Sequence, residues 1–256
     1  MKKIISRLTA IACILYPAMS LSEGLTIDIK KKEETINLSV QGNNEQILNA
    51  IVENFSKVKK MKVFSTNSQN ADVYIHTGKD NYLDVDGKRV TIEAQNELDI
   101  ANSFSDYLYS KFLKQKSYFN EKIVFVQKKN DKYILSISNF DGKNKKDLLV
   151  SPKPILSPDL SSDQNLITYV SFEDIRPSVF IYNLRTKKRL KISNFKGVHS
   201  DPKFSYDDSK IMMSLSKDGD ADLYIYELGT YTLTKVTNNN GNEINPSWIS
   251  EDLFLF

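Results

Sequence analysis

The sequence predicts a fold in two parts, an N-terminal α+β domain followed by an all-β array of repeated four-stranded sheets. The first observation is a repeat, because Pro158, Pro202 and Pro246 stand 44 residues apart in both intervals. The second is that each repeat contains short β-branched and aromatic runs separated by turn residues, a pattern typical of strands. The third is that residues 23 to about 118 lack this period and mix helical with strand patterns.

The repeat extends well beyond the three prolines. Residues 44 positions apart are the same or similar in seven further pairs: Ser161 and Ser205, Asp163 and Asp207, Asp174 and Asp218, Ile181 and Ile225, Tyr182 and Tyr226, Leu184 and Leu228, Ile192 and Val236. An earlier copy is visible in "EKIVFVQ" and "YILSISNF", where Ile123 matches Ile167 and Val126 matches Val170. Three copies of a four-stranded unit of this length predict the blades of a β-propeller.

The N-terminal part contains two helical patterns among several strands. One apolar stripe at helical spacing follows Asn43 and Asn44, and a second ends near Lys114. Their residues are Ile47, Leu48, Ile51, Phe55 and Val58 in the first, and Leu98, Ala101, Phe104, Leu108 and Phe112 in the second. "MKVF" and "ADVYIHT" predict strands, and the dipeptide Asp86-Gly87 predicts a hairpin turn. We therefore predict an α+β domain over residues 23–118 and a partial propeller over residues 119–256.

The first 22 residues have the pattern of a secretory signal peptide. Lys2, Lys3 and Arg7 precede an apolar run from Leu8 to Tyr16 that is too short to span a membrane. Loss of the three basic residues lowers the formal net charge from +3 to 0, so the basicity gives no reason to expect nucleic-acid binding. Cys13 is the only cysteine, which leaves the mature chain without a disulfide, a thiolate nucleophile or a Cys-ligated zinc.

Groups that could perform catalysis are few. The two histidines are His76, in a strand pattern, and His199, in a turn before Pro202, and neither belongs to a known catalytic motif. Acid–base chemistry by carboxylates alone stays open, since Asp and Glu have no signature here. Asp218, Asp220 and Asp222 alternate as calcium ligands do, but the residues that follow do not complete an EF-hand loop. Hairpin turn chemistry is the better interpretation of these three aspartates.

The blade motifs "VSFEDIRPSVFIYNL", "SLSKDGDADLYIYEL" and "NPSW" resemble those of a known family. From about Tyr118 to Trp248 the chain is similar to the TolB family of the Tol-Pal system, whose members are periplasmic proteins with a six-bladed propeller. In the N-terminal domain the best-matching stretch is "ADVYIHTG". WD-repeat proteins are excluded, since their Gly-His and Trp-Asp dipeptides do not occur in these blade motifs.

The resemblance implies a non-catalytic scaffold without cofactor or metal. Its propeller would bind the peptidoglycan-associated lipoprotein Pal, and its mature N-terminus would contact TolA, in a periplasmic system for outer-membrane integrity and cell division. Other outer-membrane proteins are further candidate partners. The resemblance places the Pal-binding residues on the propeller face around the central channel, in the turns that precede the repeated prolines: Ser157, Val198, His199, Asp201, Glu243, Ile244 and Asn245. The implied TolA-binding residues are Ser22, Glu23, Gly24, Leu25, Thr26, Ile27, Asp28, Ile29 and Lys30.

Three blades cannot close a ring, so we expect an open array with exposed sheet edges. The sequence ends in "ISEDLFLF", where a fourth blade would begin, and we interpret it as a C-terminally truncated family member. A short protein completed by a partner chain is the alternative.

Two other function classes stay open at this point. The array could be the propeller of a secreted hydrolase, either prolyl-oligopeptidase-like or metal-dependent, with His199 and Asp201 as the only hint of a site. A sugar-binding module would need exposed tryptophan platforms, whereas Trp248 is the only tryptophan and follows a repeated proline. Of these function classes, we predict the protein-binding scaffold.

Overall fold

The computed structural model of the chain describes residues 35–68, 70–94 and 96–256. Residues from Thr35 to Phe256 form one compact unit. The predicted signal peptide and the segment Ser22 to Lys30 lie outside the described residues. The boundary predicted near Tyr118 falls between the last helix and the first repeated strand of this unit, and it stays a prediction.

The N-terminal part contains five strands and two helices within the described ranges. In chain order they are β1 Ile36–Gly42, α1 Glu45–Phe55, β2 Met61–Ser65, β3 Val73–His76, β4 Asn81–Val85, β5 Lys88–Ile92 and α2 Glu97–Leu113. The strands form one mixed sheet in the order β2-β1-β3-β4-β5, in which β1 is parallel to β2 and β3. The remaining neighbours are antiparallel.

Both predicted helices are confirmed, and local chemistry explains where they begin and end. The Asn44 side chain accepts a hydrogen bond from the backbone N–H of Ile47, and Asn96 does the same for Asp99, as N-cap residues do. Helix α2 ends at Lys114 in the left-handed conformation. The apolar stripes of the two helices pack on one face of the sheet in a single core, which makes this part a two-layer α+β structure.

The hairpin predicted at Asp86-Gly87 is also confirmed. Asp86 and Gly87 have φ values of 50° and 71°, and they join β4 to β5. Positive φ at both central residues belongs to the tight turn whose twist matches that of the flanking strands.

The repeated part consists of antiparallel sheets arranged one after another. The strands are β6 Lys122–Lys129, β7 Lys132–Asn139, β8 Lys146–Ser151, β9 Ile155–Leu160, β10 Leu166–Ser171, β11 Ser178–Asn183, β12 Arg189–Lys191, β13 His199–Phe204, β14 Lys210–Leu215, β15 Asp222–Glu227, β16 Leu233–Lys235, β17 Ser247–Trp248 and β18 Phe254–Leu255. Strands β9–β12 and β13–β16 form two complete four-stranded blades, as predicted. Among the described residues the first sheet has three strands, β6–β8, and the last pairs β17 with β18. The array is open.

Alternation along the strands explains how neighbouring sheets pack. In the second blade Ile167 and Tyr169 join a cluster with residues of the first sheet, whereas Val170 joins a cluster with residues of the third. Successive side chains of a strand point to opposite faces, so one blade contributes to both interfaces. The aromatic residues Tyr169, Phe180, Tyr182, Tyr224 and Tyr226 are all buried in these clusters, which confirms the prediction that they pack between blades.

The repeated Ser and Asp residues form the turn between the first two strands of each complete blade. Ser161 donates to Asp163, and Ser205 donates to Asp207, both at 2.6 Å. The Ser205 hydroxyl, with further bonds from Ser209, lowers the pKa of Asp207 to about 2. The Ser and Asp residues that repeat every 44 positions thus form the same hydrogen-bonded turn in both complete blades.

A second set of hydrogen bonds links each of these turns to residues of the preceding repeat. The carboxylate of Asp208 accepts the backbone N–H groups of Ser162 at 2.7 Å and Asp163 at 2.8 Å. Gln164, one repeat earlier, donates to the carbonyl of Asn120 at 3.3 Å. These contacts link the turns of successive sheets to one another and to the segment before β6.

No helix in the described part of the chain is long and apolar enough to cross a membrane.

Candidate binding surface

The first strands of the successive blades lie along one edge of the array. Strand β9 contacts β13, and β13 contacts β17, whereas the fourth strands β12 and β16 are at the opposite edges of their sheets. Strand β9 contains Pro158 and β13 contains Pro202, and Pro246 stands directly before β17. Proline lacks a backbone N–H and is therefore suited to an edge strand. We call β9, β13 and β17 the inner strands.

The residue before each repeated proline has an uncommon backbone conformation. Ser157, Asp201 and Asn245 have φ values of 47°, 51° and 55°. Such left-handed conformations are rare for residues other than glycine, and each costs on the order of 1–3 kcal/mol. Because the same outlier recurs at the same repeat position, it is a built-in feature of the blade. We call Ser157, Asp201 and Asn245 the inner row.

The register of the strands shows what this conformation does. Ser157 and Pro158 together lie opposite one residue of β10, and Asp201 and Pro202 lie opposite one residue of β14. A bulge of this kind leaves one residue unpaired and redirects its side chain. The bulges therefore take Ser157 and Asp201 out of the regular ladder.

Polar contacts connect neighbouring inner strands. The Ser157 hydroxyl donates to the Asp201 carboxylate at 2.9 Å. Two residues further along, Lys203 donates to Asp159 at 2.9 Å, and the backbone N–H of Phe204 donates to the same carboxylate. The structure thus brings Ser157 and Asp201 together, as neighbours in one polar row.

Exposed apolar side chains flank this row. Val198 is 55% exposed and Ile244 is 45% exposed, and Leu156 is exposed to a similar extent. Exposed apolar residues grouped around polar ones are typical of surfaces that bind proteins. Of the predicted site residues, Val198, Ile244 and Asn245 are accessible, and Ser157 and Asp201 are partly accessible.

His199 and Glu243, by contrast, are buried. They occupy the same position of the repeat, and each is hydrogen-bonded to a hydroxyl group in the segment that follows the preceding blade. Ser193 Oγ lies 2.7 Å from His199 Nδ1, and Thr237 Oγ1 donates to Glu243 Oε2 at 3.0 Å. Neither side chain reaches the surface on which the resemblance placed it, so any effect on a partner would pass through the neighbouring loop.

The hydrogen bonds of His199 indicate its protonation state. The backbone N–H of Val179 donates to Ser193 Oγ, so the Ser193 hydroxyl hydrogen is free to point at His199 Nδ1. The other ring nitrogen, Nε2, lies 3.2 Å from the carbonyl oxygen of Phe195, to which it donates. A neutral ring with its proton on Nε2 satisfies both contacts. Burial lowers the pKa of His199, which favours the same state.

The loop in front of His199, residues 194–198, is held at several points. Ser216 accepts the backbone N–H of Val198 through its hydroxyl and donates its own N–H to the Val198 carbonyl. Gly197 has φ of 95°, and an added Cβ would lie 2.4 Å from Ser216 Oγ. Only glycine fits there. The exposed Val198 side chain is therefore presented from a fixed backbone.

Other residues that the sequence singled out take part in local contacts. His76 is exposed on β3 and stacks on Tyr82 at 4.6 Å. Asp218 accepts from the Tyr224 hydroxyl at 2.7 Å, and Asp222 is buried beside Lys235. Within the described ranges no group of three or more His, Cys, Asp or Glu side chains is placed to hold a metal ion.

Sequence reasoning missed the hydroxyl partners Ser193 and Thr237 and the exposed Leu156. The signal for the first two was present, because Ser193 and Thr237 are 44 residues apart, as are His199 and Glu243. The exposure of Leu156 had no signal, since an apolar residue in a strand is usually assigned to the core.

Comparison with known families gives an independent result. A protein-family model described as the TolB beta propeller domain matches residues 109–255, which is more than half of the chain. The matched residues include all the described inner strands.

Individual relatives agree with this match. The Tol-Pal system protein TolB of Ruthia magnifica subsp. Calyptogena magnifica is 37% identical over 146 residues, which are 55% of this chain and 34% of the relative. The protein of the same name from Vesicomyosocius okutanii subsp. Calyptogena okutanii (strain HA) is 32% identical over 180 residues, covering 68% of this chain and 41% of the relative. The chain thus spans well under half the length of these relatives.

A solved structure has the same fold. The crystal structure of TolB from Acinetobacter baumannii matches with a TM-score of 0.67 and 21% identity, over 82% of this chain and 62% of that chain.

Proposed function

Because the chain belongs to the TolB β-propeller family, we propose that it is a non-catalytic, protein-binding component of a Tol-Pal system. In this proposal the inner row and its apolar neighbours bind the lipoprotein Pal. The N-terminal segment from Ser22 to Lys30 binds TolA. The protein acts in the periplasm, where the system supports outer-membrane integrity and cell division.

The observation that supports this proposal most is the repeated backbone strain at Ser157, Asp201 and Asn245. Strained residues persist only where the surrounding structure fixes them, and they cluster at binding sites. Here the same strain recurs at the residue before each repeated proline. A purely structural repeat would gain stability from an extended residue before proline.

The proposed contacts divide into two kinds. Val198 and Ile244 supply apolar area, while the inner row supplies hydrogen-bonding groups at fixed positions. His199 and Glu243 act indirectly, because they hold the loops that present Val198 and Ile244. Fixed loops lower the ordering cost of binding, which favours a specific protein partner.

A binding experiment with matched variants tests the Pal proposal. We expect the full chain to bind the purified periplasmic domain of Pal, and Val198→Asp to weaken binding by at least about tenfold by placing a charge in a desolvated contact. Val150→Asp is the control, since Val150 is 59% exposed but lies in β8, outside the inner strands. A folded chain that does not bind Pal, or that loses as much affinity in the control, would refute the proposal.

The TolA proposal has a separate test. A chain that keeps residues 1–21 and lacks residues 22–30 should lose TolA binding and retain Pal binding. Replacing Leu25 and Ile27 with Asp should have the same effect, because these residues are proposed to add as a strand to a sheet edge of TolA. Unchanged TolA binding in both variants would show that the contact lies elsewhere.

A further inference from the structure

The loop between β16 and β17 contains five asparagines. Its two ends are held by β15 and by the residue directly before that strand. Thr237 Oγ1 accepts the backbone N–H of Leu223 at 2.8 Å, and the backbone N–H of Glu243 donates to the carbonyl of Ala221 at 2.6 Å. Residues 238–241 form an exposed span between these fixed points.

One of the five asparagines precedes a glycine. Asn240-Gly241 is the only Asn-Gly dipeptide in the sequence. Because glycine has no Cβ, its backbone nitrogen can approach the carboxamide carbon of the preceding side chain without steric hindrance. Gly241 has φ of 142°, and a side chain at this position would meet no atom within 4 Å. The space around this peptide bond is therefore open.

Neither of the groups that would react is held by a hydrogen bond. In the described part of the chain the Asn240 side chain and the Gly241 N–H have no hydrogen-bond partner. Asn242 is the opposite case, because its Oδ1 accepts the backbone N–H of Ala221 at 2.9 Å. The N–H that follows Asn242 belongs to Glu243 and is bonded to the Ala221 carbonyl. The fold thus leaves one asparagine free and protects another two residues away.

The remaining asparagines of the loop are less suited to the same reaction. The Asn238 carboxamide oxygen accepts from a lysine ammonium group at 2.8 Å. Asn239 precedes Asn240, whose own side chain hinders an attack by its backbone nitrogen. Asn245 precedes Pro246, which has no N–H.

We propose that Asn240-Gly241 is a site of spontaneous covalent modification, at which the asparagine side chain loses ammonia. The Gly241 nitrogen gives up its proton to water and attacks the Asn240 carboxamide carbon. A C–N bond forms, and the carboxamide nitrogen takes a proton and leaves as ammonia, which closes a succinimide ring. Water then adds to one of the two ring carbonyl carbons and breaks its bond to nitrogen. Opening at the side-chain carbon gives aspartate, and opening at the backbone carbon gives isoaspartate.

The reaction changes the loop in two ways. It adds a carboxylate to a segment that has no charged residue between Lys235 and Glu243. Isoaspartate also lengthens the backbone by a methylene group between Thr237 and Glu243, whose side chains are bonded to each other at 3.0 Å. Both changes fall on the loop that presents the exposed side chain of Ile244.

Incubation of the full folded chain in buffer at neutral to mildly alkaline pH tests the proposal. Trypsin at low pH then releases the peptide that begins at Val236, and tandem mass spectrometry locates each converted asparagine. We expect Asn240 to convert at least about tenfold faster than Asn242, because two hydrogen bonds must break before Asn242 can react. Equal conversion of the two residues would overturn the proposal.

A synthetic peptide of residues 236–246 shows what the fold contributes. If Asn240 converts in the peptide but stays intact in the folded chain, the fold protects it and the proposal is wrong. Asn240→Gln should abolish the two early products, which chromatography separates as aspartate and isoaspartate forms. Asn239→Gln is the matched control, and it should leave their rate of formation unchanged. Products that form at the same rate in Asn240→Gln would assign the reaction to another residue.

Discussion

The first sheet and the second blade contain the same repeat, yet their equivalent strands are buried to different extents. Strand β10 is almost fully buried, whereas β6 has exposed ends and a half-buried middle. Both are regular strands with a full antiparallel ladder on one side. Strand formation thus follows from local alternation and pairing, while burial depends on which sheets lie on either side.

The inner strands give a second comparison of equivalent positions. His199 in the third blade and Glu243 after it differ in chemistry, yet both are buried against a hydroxyl group. The repeat preserves a hydrogen-bonded contact there, and a neutral imidazole and a carboxylate both make it. Packing fixes the position. A hydroxyl group can donate to an imidazole nitrogen or to a carboxylate oxygen, so both residue types suit the contact.

The largest expected effect comes from truncating equivalent residues of β10 and β6. Ile167→Ala should lower the free energy of unfolding by about 2–5 kcal/mol, because it leaves a cavity between two sheets. Ile123→Ala should cost less than about 1 kcal/mol, since its side chain is half exposed. Urea unfolding measures both. Equal losses would contradict the smaller effect expected for the half-exposed Ile123.

The links between blades predict the next largest effect. Asp208→Ala removes the acceptor of two backbone N–H groups, whereas Gln164→Ala at the equivalent position removes two longer bonds, to the Asn120 carbonyl at 3.3 Å and to the Glu121 carboxylate at 3.5 Å. Both residues have φ of 57°, so alanine costs the same backbone strain at each. We expect Asp208→Ala to be more destabilising by about 1–2 kcal/mol in urea unfolding. An equal loss of unfolding free energy in Gln164→Ala and Asp208→Ala would contradict this prediction.

His199 predicts a dependence of stability on pH. Its pKa is lowered in the folded chain by burial. The unfolded chain therefore binds a proton more readily, and stability should fall as the pH drops below about 6.5, the unperturbed histidine pKa, toward the lower folded pKa. His199→Gln should flatten this part of the profile, measured as the melting temperature from pH 7.5 to pH 5. If the melting temperature of His199→Gln changes with pH as steeply as that of the unchanged chain, the pH dependence arises from other groups.

The smallest effect concerns two hairpin turns. The turn between β6 and β7 has Asn130 and Asp131 at positive φ, where the turn between β4 and β5 has Asp86 and Gly87. Glycine adopts the second position without strain, so Asp131→Gly should stabilise the chain by about 0.5 kcal/mol. Gly87→Ala should destabilise it by about 1 kcal/mol. Thermal unfolding measures both, and a destabilised Asp131→Gly variant would contradict the prediction.

Much of the fold could be predicted from the sequence because its signals are local. The stripe from Ile47 to Phe55 predicts α1, Asp86-Gly87 predicts the hairpin, and the 44-residue period predicts the blades and the packing role of their aromatic residues. Each of these predictions depends on the spacing of residues along the chain or on the residue types of a short turn.

The candidate surface was predictable only in part. Val198 and Ile244 are exposed, and the binding role that the resemblance implies for them and for the inner row stays a prediction. The burial of His199 and Glu243 was not predictable, since a polar residue in a turn is usually exposed. Their orientation depends on Ser193 and Thr237, which lie two residues after the last strand of the preceding blade.

The sequence by itself determined the repeat, the strands and the turns, because hydrogen bonding within hairpins and alternation of side chains act over short distances. Only the tertiary structure decided which equivalent strand is buried, which side chains of the inner strands face outward, and that the first sheet lacks its inner strand among the described residues. The physical reason is that burial and strand pairing at a blade edge depend on neighbours a full repeat away in the sequence. The residues at that edge do not by themselves indicate which neighbours will cover them.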